Sequence, residues 1–433
     1  MKAVILAGGK GTRLGLTDVP KPMVNVAGKP LLLHQIELLK RYGIKDVILL
    51  TGHLGNVIEN YFGDGHKFGV NISYIVEDIP LGTSGAVKEL EGLISDRFLV
   101  LYGDVMMDFD IDSFIQFDSE ANSIASIIVH PNDHPYDSDL VETNEHGYVN
   151  KFLSKPHEEN LFYSNNVNAA TYIFHPDIFQ YINKGELSDF GKDIFPAILH
   201  KGIHKIRAYN TPEYIKDLGT PDRLTLVENA VISGKVASFN KKFKRPAIFL
   251  DRDGVINEEV DNLRNINDFK LLPRVSEAIK KINNSKFLAI VITNQPMIAK
   301  GFLSELELSE IHKKLETEIG HERAYVNKIY YCPHHPEAGF EGEIISLKIK
   351  CECRKPNIGM IEKAVKEFNI DLSKSYFIGD TTIDVQTGIN ANVKTVLVKT
   401  GHAGSDKKYN VKPDAIAIDL YDAVSQILEM NDN

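Results

Sequence analysis

Two aspartates stand at the end of a buried strand pattern near the middle of the 433-residue chain. The apolar run Ala247–Leu250 leads directly into Asp251 and Asp253. A first carboxylate at such a strand end can attack phosphorus, and a second can protonate the leaving oxygen. The alternative is a turn or a calcium loop, but an EF-hand requires Glu at its twelfth position, where this chain has Asn262. The pattern therefore favours phosphoryl chemistry.

Further polar residues follow later strand patterns in the same half. Thr293 and Asn294 end the next apolar run. Arg354 and Lys355 then add two cations, and Asp380 ends another apolar run. In this order, over about residues 246–400, these pieces resemble the haloacid dehalogenase phosphohydrolase superfamily. The resemblance implies a reaction through a phosphorylated aspartate.

The same resemblance implies a role for each of these residues. Asp251 would be the nucleophile, and Asp253 the general acid and base. Thr293 and Lys355 would bind the phosphoryl group. Asn294 and Arg354 would bind the rest of the substrate. Mg²⁺ would be bound by three groups at the strand ends, namely Asp251, the backbone carbonyl of Asp253, and Asp380. Asp384 is expected near this ion rather than among its direct ligands.

The three cysteines of the chain all lie in one short window. Together with one histidine they form the patterns Cys-x-His and Cys-x-Cys, at Cys332, His334, Cys351 and Cys353. Three thiols and an imidazole make a closed tetrahedral zinc site, which is structural rather than catalytic. The alternative is a group of buried cysteines beside a surface histidine pair. We expect structural Zn²⁺ that fixes the loop leading into Lys355, with His335 outside the site.

The cysteine window also narrows the resemblance. The sequence Tyr330-Tyr-Cys-Pro-His-His-Pro336, with Cys351-Glu-Cys-Arg-Lys-Pro356, closely resembles the D-glycero-D-manno-heptose 1,7-bisphosphate 7-phosphatases. Histidinol-phosphate phosphatases share this zinc loop and are the nearest alternative. The sequence departs from that family's pattern at two places, which could change phosphate affinity or substrate preference. Thr381 stands where the heptose enzymes usually carry Lys, and Pro296-Met297 replaces the usual Ser-Gly.

At the start of the chain, the first apolar run leads directly into Gly8, Gly9 and Gly11. Glycines allow backbone N–H groups to approach a polyphosphate closely. Arg13 and Lys21 can neutralise its charge. The spacing is neither that of the dinucleotide-binding fingerprint nor that of the P-loop, so a purely structural turn is the alternative.

Two distant aspartates add to this first pattern. Asp104 follows the apolar run that starts at Phe98, and Asp217 lies much further along the chain. Strand ends are where α/β sheets present ligands. Two carboxylates beside substrate phosphates suit Mg²⁺, although either one alone could simply cap a turn.

Six motifs of the first half occur in a specific order: AVILAGGKGTRL, PKPMVNVAGKPLL, EDIPLGTSGA, YGD, FLSKP and KDLGTPDRL. Together they resemble the sugar-phosphate nucleotidyltransferases, over about residues 1–230. The resemblance implies that Mg²⁺ is bound by Asp104 and Asp217. The triphosphate would be held by the N-terminal loop and the cation after it, namely Gly8, Gly9, Gly11, Thr12, Arg13 and Lys21.

The later motifs imply contacts to the other parts of the substrates. Gly82 and Thr83 would lie near the base and the sugar. Lys155 would contact the sugar phosphate, and Asn168 the sugar. One departure is Ser154, where many members carry Glu, so a contact to a sugar hydroxyl is missing or is supplied differently.

Apolar runs alternate with amphipathic patterns in both halves of the chain. We predict strands at 2–7, 47–51, 72–76, 98–102, 124–129, 247–250, 287–293, 375–378 and 395–398, and helices at 30–42 and 359–368. Such alternation indicates largely parallel, doubly wound α/β sheets with a Rossmann-like order. We expect two domains, a nucleotidyltransferase domain at 1–236 and a haloacid dehalogenase-like domain at 245–430, joined by a short basic linker.

Composition excludes several classes of protein. Hydrophobic residues are 43% and charged residues 25%, which is typical of a globular chain and not of a disordered or collagen-like one. The net charge of −10 argues against a nucleic-acid-binding surface. No apolar run approaches the roughly 18 residues that span a bilayer, and the N-terminus lacks signal-peptide features. We expect a cytoplasmic protein without a membrane partner; its oligomeric state stays open.

The two halves suggest consecutive reactions on one sugar. Removal of the 7-phosphate from heptose 1,7-bisphosphate would leave heptose 1-phosphate, and nucleotidyl transfer, with GTP or another nucleoside triphosphate as donor, would then activate it. The expected product is GDP-D-glycero-α-D-manno-heptose for lipopolysaccharide or S-layer glycan. One alternative is a mannose or other hexose 1-phosphate nucleotidyltransferase fused to a histidinol-phosphate-like or other small phosphatase. A non-enzyme alternative is that one domain is a degenerate binding module.

Overall fold

The computed structural model describes residues 1–9, 18–260 and 263–431, which form two compact units. The first unit contains Met1–His130, Ser138–Lys155 and Asn166–Asn240. The second contains Pro131–Asp137, Pro156–Asn165 and Lys241–Asn433. No helix in these described ranges is both long and apolar enough to cross a membrane.

The first unit combines strands with short helices. Its described strands are β1 (Lys2–Leu6), β2 (Asn25–Val26), β3 (Lys29–Pro30), β4 (Asp46–Thr51), β5 (Asn71–Val76), β6 (Phe98–Tyr102), β7 (Val105–Asp108), β8 (Ala125–His130), β9 (Leu140–Thr143), β10 (Val149–Leu153), β11 (Val167–Phe174), β12 (Ile206–Asn210) and β13 (Tyr214–Asp217). Its described α-helices are α1 (Leu31–Arg41), α2 (Gly55–Phe62), α3 (Gly82–Lys88), α4 (Ile111–Ser119), α5 (Phe195–Lys201), α6 (Pro221–Ile232) and α7 (Lys235–Ser238).

Nine of these described strands form one sheet, with the order β10-β9-β11-β6-β1-β4-β5 and with β8 between β11 and β12. The strands β6, β1, β4 and β5 are parallel, whereas β11 runs antiparallel to β6 and β8. In β1, Ala3 and Ile5 pack into one apolar core, and Val4 packs into another. The sheet is therefore buried on both faces, as expected for parallel strands covered by helices.

The second unit carries a sheet of six described strands, all parallel, in the order β16-β15-β14-β17-β18-β19. These strands are β14 (Ala247–Leu250), β15 (Leu288–Asn294), β16 (Lys328–Cys332), β17 (Tyr376–Gly379), β18 (Lys394–Val398) and β19 (Ala415–Ala417). The described α-helices of this unit are α8 (Val275–Asn284), α9 (Glu305–His321), α10 (Gly359–Phe368), α11 (Thr382–Asn390) and α12 (Leu420–Asn431). The central strand β14 again contributes alternate side chains to two cores, which places it between two helical layers.

Two short segments from the first half of the chain belong to the second unit and pack against α9. The backbone N–H of Tyr163 donates to Oγ1 of Thr317 over 2.9 Å, and this hydroxyl donates back to the carbonyl of Tyr163 over 3.3 Å. A Cβ atom on Gly320 would lie 2.8 Å from Cγ of Pro135, so this glycine makes room for the other segment. No sequence pattern indicated these two segments.

The predicted fold class, two doubly wound α/β domains, is confirmed. Each predicted strand and helix is present, with its ends at the predicted positions or one residue away. The antiparallel pairing of β11 with β6 and β8 was not predicted, because a buried apolar run carries no information about strand direction.

Candidate active sites and metal centre

The carboxyl ends of β14 and β17 lie side by side, because these strands are parallel neighbours. Asp251 follows β14, and its Oδ1 atom lies 2.8 Å from Nζ of Lys355. The same Nζ atom lies 2.7 Å from Oδ1 of Asp384 in the first turn of α11. Lys355 is only 5% exposed, so it holds both carboxylates inside the protein.

Asp380 joins this cluster from the end of β17. Ligand oxygens of Asp251, Asp380 and Asp384 all lie within 4.8 Å of one another. One oxygen of Asp380 accepts the backbone N–H of His402 over 2.7 Å. The other, Oδ1, is buried without a hydrogen-bond partner among the described residues. An unpaired buried oxygen among carboxylates fits the preference of Mg²⁺ for oxygen ligands.

Charge in this cluster is unbalanced, since three carboxylates face one ammonium group. Burial and the charge of Asp384 raise the pKa of Asp251 well above its usual range and the pKa of Asp380 to about 7. Burial opposes the charged form of Lys355, but its two carboxylate partners outweigh burial and raise its pKa. A divalent cation would offset the excess negative charge.

Asp253 is surrounded by donors. Nη2 of Arg252 donates to both of its oxygens, over 2.8 and 2.9 Å. The amides of Asn257 and Gln295 donate over 3.0 and 2.9 Å. Burial alone would raise the pKa of Asp253, but Arg252 and the two amides lower it. Sequence reasoning missed both amide donors; the position of Gln295 directly after the predicted substrate residues Thr293 and Asn294 was the available signal.

The end of β15 contacts the same cluster. Thr293 is buried, and its Oγ1 accepts from Nε2 of Gln295 over 2.8 Å. Asn294 accepts the backbone N–H of Lys355 over 3.0 Å and donates to its carbonyl over 3.2 Å. Asn294 therefore fixes the backbone that carries the buried lysine.

The three cysteines and His334 meet in one place. Sγ of Cys353 lies 3.2 Å from Sγ of Cys332, 3.3 Å from Sγ of Cys351 and 3.2 Å from Nδ1 of His334. Four ligands about 2.3 Å from a tetrahedral centre lie roughly 3.8 Å apart, so the donor set suits zinc after a small expansion. Hydrogen bonding from Cys332 lowers the pKa of Cys353 to about 5. His335 lies outside the group and contacts the carbonyl of Glu337.

A cluster of cations lies beside this loop, and sequence reasoning missed most of it. Its cations come from distant parts of the second unit: Arg264, Lys300, Lys348 and Arg354. Carboxylates lie among them, since Glu337 acts on Lys300 and Glu343 lies 3.3 Å from Nζ of Lys348. Nζ of Lys300 and Nζ of Lys348 each lie 4.7 Å from the ring centre of Phe340. Burial and the positive charge of Arg354 lower the pKa of Lys300. Arg354 directly precedes Lys355, and its Nη1 atom donates to the carbonyl of His334, 3.1 Å away.

In the first unit, backbone pairing brings the two predicted metal aspartates together. Asp217 stands opposite Val105 in the antiparallel pair β13–β7, and the N–H of Leu218 donates to the carbonyl of Asp104 over 3.1 Å. Each carboxylate has a cation partner. Asp104 lies 2.5 Å from Nζ of Lys21, and Asp217 lies 2.7 Å from Nη1 of Arg223.

A buried glutamine supports this pair. Gln35 of α1 is fully buried and donates to the carbonyls of Tyr102 and Val105, over 2.8 and 2.6 Å. It thereby holds the turn that contains Asp104. The sequence hint of this role was a polar residue on the apolar face of a predicted helix.

The glycine-rich loop is described only in part. Gly8 and Gly9 follow β1, whereas Gly11, Thr12 and Arg13 lie outside the described residues. A Cβ atom on Gly8 would lie 2.8 Å from Oε2 of Glu77, so a larger residue would not fit without movement.

Two further pairs of predicted substrate residues lie elsewhere in the unit. Gly82 begins α3, and Oγ1 of Thr83 donates to Asp189 over 2.8 Å. Lys155 and Asn168 meet at Asp139, which accepts the N–H of Lys155 on Oδ1 and the N–H of Asn168 on its carbonyl. Asp139 was not predicted.

Known proteins match the two halves of the chain separately. Residues 2–234 match the family model described as nucleotidyl transferase, and residues 352–423 match the one described as HAD-hydrolase-like. The chain is 38% identical over 161 residues to the D-glycero-beta-D-manno-heptose-1,7-bisphosphate 7-phosphatase of Haemophilus ducreyi, covering 37% of this chain and 86% of that protein.

Relatives that match the first half include two bacterial enzymes. One is the UTP–glucose-1-phosphate uridylyltransferase of Synechocystis, 35% identical over 219 residues that make up 47% of this chain and 56% of that protein. The other is the mannose-1-phosphate guanylyltransferase of Mycobacterium tuberculosis, 36% identical over 224 residues that make up 51% of this chain and 61% of that protein. The chain thus spans somewhat more than half the length of these two proteins.

Proposed function

Because the chain belongs to the nucleotidyl transferase family, and its second half to the family of heptose-1,7-bisphosphate 7-phosphatases, we propose that it catalyses two consecutive steps in the synthesis of a nucleotide-activated heptose. The first step removes the 7-phosphate of D-glycero-D-manno-heptose 1,7-bisphosphate. The second transfers a nucleotidyl group to the resulting heptose 1-phosphate. The product of the phosphatase is a sugar 1-phosphate, which is the class of substrate that the nucleotidyltransferase relatives are named for.

The observation that carries the phosphatase proposal is the Lys355 ammonium between two carboxylates, with Asp380 beside them. An oxygen of Asp251 attacks the 7-phosphorus, and the bond from phosphorus to the sugar oxygen breaks. Asp253, which must first take up a proton from solvent because Arg252 favours its ionised form, gives that proton to the sugar oxygen. Water then attacks the phosphorylated aspartate, Asp253 accepts its proton, and inorganic phosphate leaves. Lys355 and Thr293 hold the phosphoryl group. Mg²⁺ bound by Asp251, the carbonyl of Asp253 and Asp380 would supply charge stabilisation.

The cation cluster supports a substrate with a second phosphate. Two of its members, Lys348 and Lys300, have carboxylate neighbours in Glu343 and Glu337, so this support comes from Lys300 and Arg354. The partly buried Lys300 and the adjacent Arg354 are placed to neutralise the 1-phosphate, which this reaction leaves intact.

In the first unit, an oxygen of the sugar 1-phosphate attacks the α-phosphorus of the nucleotide, and pyrophosphate leaves. Both reactants are anions, so the cations predicted around them, Arg13, Lys21 and Lys155, offset their repulsion and stabilise the charge of the transition state. Asp104 and Asp217 would hold Mg²⁺, which neutralises triphosphate charge when bound. The backbone pairing that joins these two aspartates supports this assignment.

Zn²⁺ is the proposed occupant of the cysteine cluster. Four protein ligands leave no open position for a reacting water, so its role is to fix the loop that carries Arg354 and Lys355. The hydrogen bond from Nη1 of Arg354 to the carbonyl of His334, 3.1 Å, ties that loop to the cluster.

GTP is the proposed nucleotide, and the guanylyltransferase relative supports it. The uridylyltransferase relative supports UTP with a hexose 1-phosphate as the second candidate. The cytoplasm, where nucleoside triphosphates are made, is the proposed location.

The test is incubation of the full chain with the α- and β-anomers of heptose 1,7-bisphosphate and each of the four nucleoside triphosphates. Phosphate, pyrophosphate and product mass are measured together. Parallel reactions contain mannose 1-phosphate, glucose 1-phosphate and histidinol phosphate. Release of both phosphate and pyrophosphate with GDP-heptose as product supports the proposal. Turnover of histidinol phosphate or a hexose 1-phosphate, with none of the heptose substrates, would refute it.

A further inference from the structure

Arg252 lies between Asp251 and Asp253 in the sequence. Its side chain is among the largest fully buried ones in the described residues. Its Nη2 atom and Nε atom bind Asp253, the latter over 3.2 Å. Its Nη1 atom points the other way and lies 3.2 Å from Nε2 of His312. His312 belongs to α9, which no motif of the phosphatase includes.

From this geometry we infer that His312 is a positioning residue, which holds the Arg252 guanidinium in the orientation that aligns Asp253 with the leaving oxygen. The inference rests on the phosphatase function proposed above. The His312 ring is hydrogen-bonded to Arg252, and through Arg252 it is linked to Asp253.

The direction of the hydrogen bond follows from chemistry. Arginine carries only donors, so Nη1 donates and Nε2 of His312 must accept. Burial and the charge of Arg252 lower the pKa of His312 to about 3, so the ring is neutral and can accept at neutral pH. The ring packs against Tyr331, with 5.9 Å between ring centres, and this contact limits its rotation.

Removing this acceptor would leave one N–H of a buried cation without a partner. The guanidinium would then move toward another acceptor, and Asp253 would follow, because Arg252 donates to both of its oxygens. Displacement of a general acid by a fraction of an ångström is enough to slow proton transfer. The nucleophile Asp251 is held separately by Lys355 and would remain in place.

The experiment separates loss of acid catalysis from general damage by varying the leaving group. Protonation matters for a sugar alkoxide but hardly for p-nitrophenolate, which leaves as a stable anion. The variants are His312→Asn, whose amide is too short to reach Arg252, and His312→Gln, whose amide oxygen can replace Nε2. His321→Leu, at the exposed end of the same helix, is the control. The values of kcat/KM are measured on heptose 1,7-bisphosphate and on p-nitrophenyl phosphate.

We expect His312→Asn to lose about 10- to 100-fold on the sugar bisphosphate and less than about threefold on the aryl phosphate. His312→Gln should recover most of this loss, and His321→Leu should match the unaltered protein. Asp253→Asn should show the same selectivity more strongly. Equal losses of His312→Asn on both substrates, or no loss on either, would overturn the inference.

Failure of the inference can be distinguished from failure of the proposed function. If the unaltered protein hydrolyses neither substrate, the phosphatase proposal fails. If it is active and Asp253→Asn is selective while both His312 variants behave normally, only the role of His312 is refuted. If His312→Asn does not fold, Arg252→Lys and His312→Gln are compared instead. A loss confined to the sugar bisphosphate in Arg252→Lys, with normal rates in His312→Gln, supports the inference, and equal losses on both substrates in Arg252→Lys overturn it.

Discussion

The Nζ atom of Lys355 lies 2.8 Å from Oδ1 of Asp251. The lysine follows the cysteine loop, and the aspartate follows the central strand, so this ion pair joins the cysteine loop to the proposed nucleophile. The same contact requires that both segments keep their positions to within hydrogen-bond distance.

Asp251→Asn should abolish phosphate release, because a neutral amide cannot attack phosphorus. Pyrophosphate release from supplied sugar 1-phosphate should stay nearly unchanged, since the first unit has its own site. Both products are measured in one preparation of the full chain. Equal loss of both activities in a folded variant would contradict independent sites.

Asp104→Ala and Asp217→Ala should each reduce nucleotidyl transfer by at least about 100-fold, comparable to losing one electrostatic contact to the transition state. Phosphatase activity should be retained. Asp96→Ala, which removes an exposed carboxylate from the same unit, serves as the control. Normal transfer rates in the first two variants would refute the metal assignment.

Cys351→Ser should remove Zn²⁺ and lower phosphatase activity by about tenfold or more, because a hydroxyl is a poor zinc ligand at neutral pH. Added Mg²⁺ should not restore activity, since it prefers oxygen ligands. Metal analysis should find one zinc per unaltered chain. A zinc-free preparation with full phosphatase activity would show that the cysteines and His334 only pack against one another and bind no required metal ion.

Gly254→Ala should reduce phosphatase activity by about 100-fold through displacement of a metal ligand. Gly254 has φ of +77°, and its added Cβ atom would lie 2.5 Å from Oδ2 of Asp380. Gly92→Ala is the matched control, because its φ is +84° and its Cβ would meet nothing within 4 Å. Similar phosphatase rates in the two variants would contradict a role for close packing at Asp380.

Lowering the pH should reduce the free energy of unfolding of the second unit, because the buried His312 ring is kept neutral in the folded protein. The ordinary pKa of histidine is about 6.5, and in the folded protein it is about 3. Between these values the unfolded chain binds a proton that the folded chain does not, so stability falls as the pH drops below about 6.5 and is regained above it. From pH 7 to 5.5, the unaltered protein should lose about 1 kcal/mol more unfolding free energy than His312→Gln. Urea unfolding followed by circular dichroism measures both; equal losses would refute a neutral buried ring.

The strands and the sites at their ends were predictable, because buried apolar runs end at the same edge of a parallel sheet. This is how Asp251, Thr293 and Asp380 could be placed together from sequence. Arg264, Lys300 and Lys348 could not, because single lysines and arginines in loops are usually solvated. The roles of Gln35 and His312 were not predictable from the sequence for a related reason. Each is one polar residue in a helix, and its partner is fixed only by packing between elements.

The two segments that pack on α9 mean that the halves of this chain cannot be separated by a single cut. A fragment starting at Lys241 would lack Tyr163 and Pro135, leaving the hydroxyl of Thr317 without its backbone partner and the surface at Gly320 uncovered. A fragment that is to contain the whole second unit must therefore include these two segments as well as a start near Lys241.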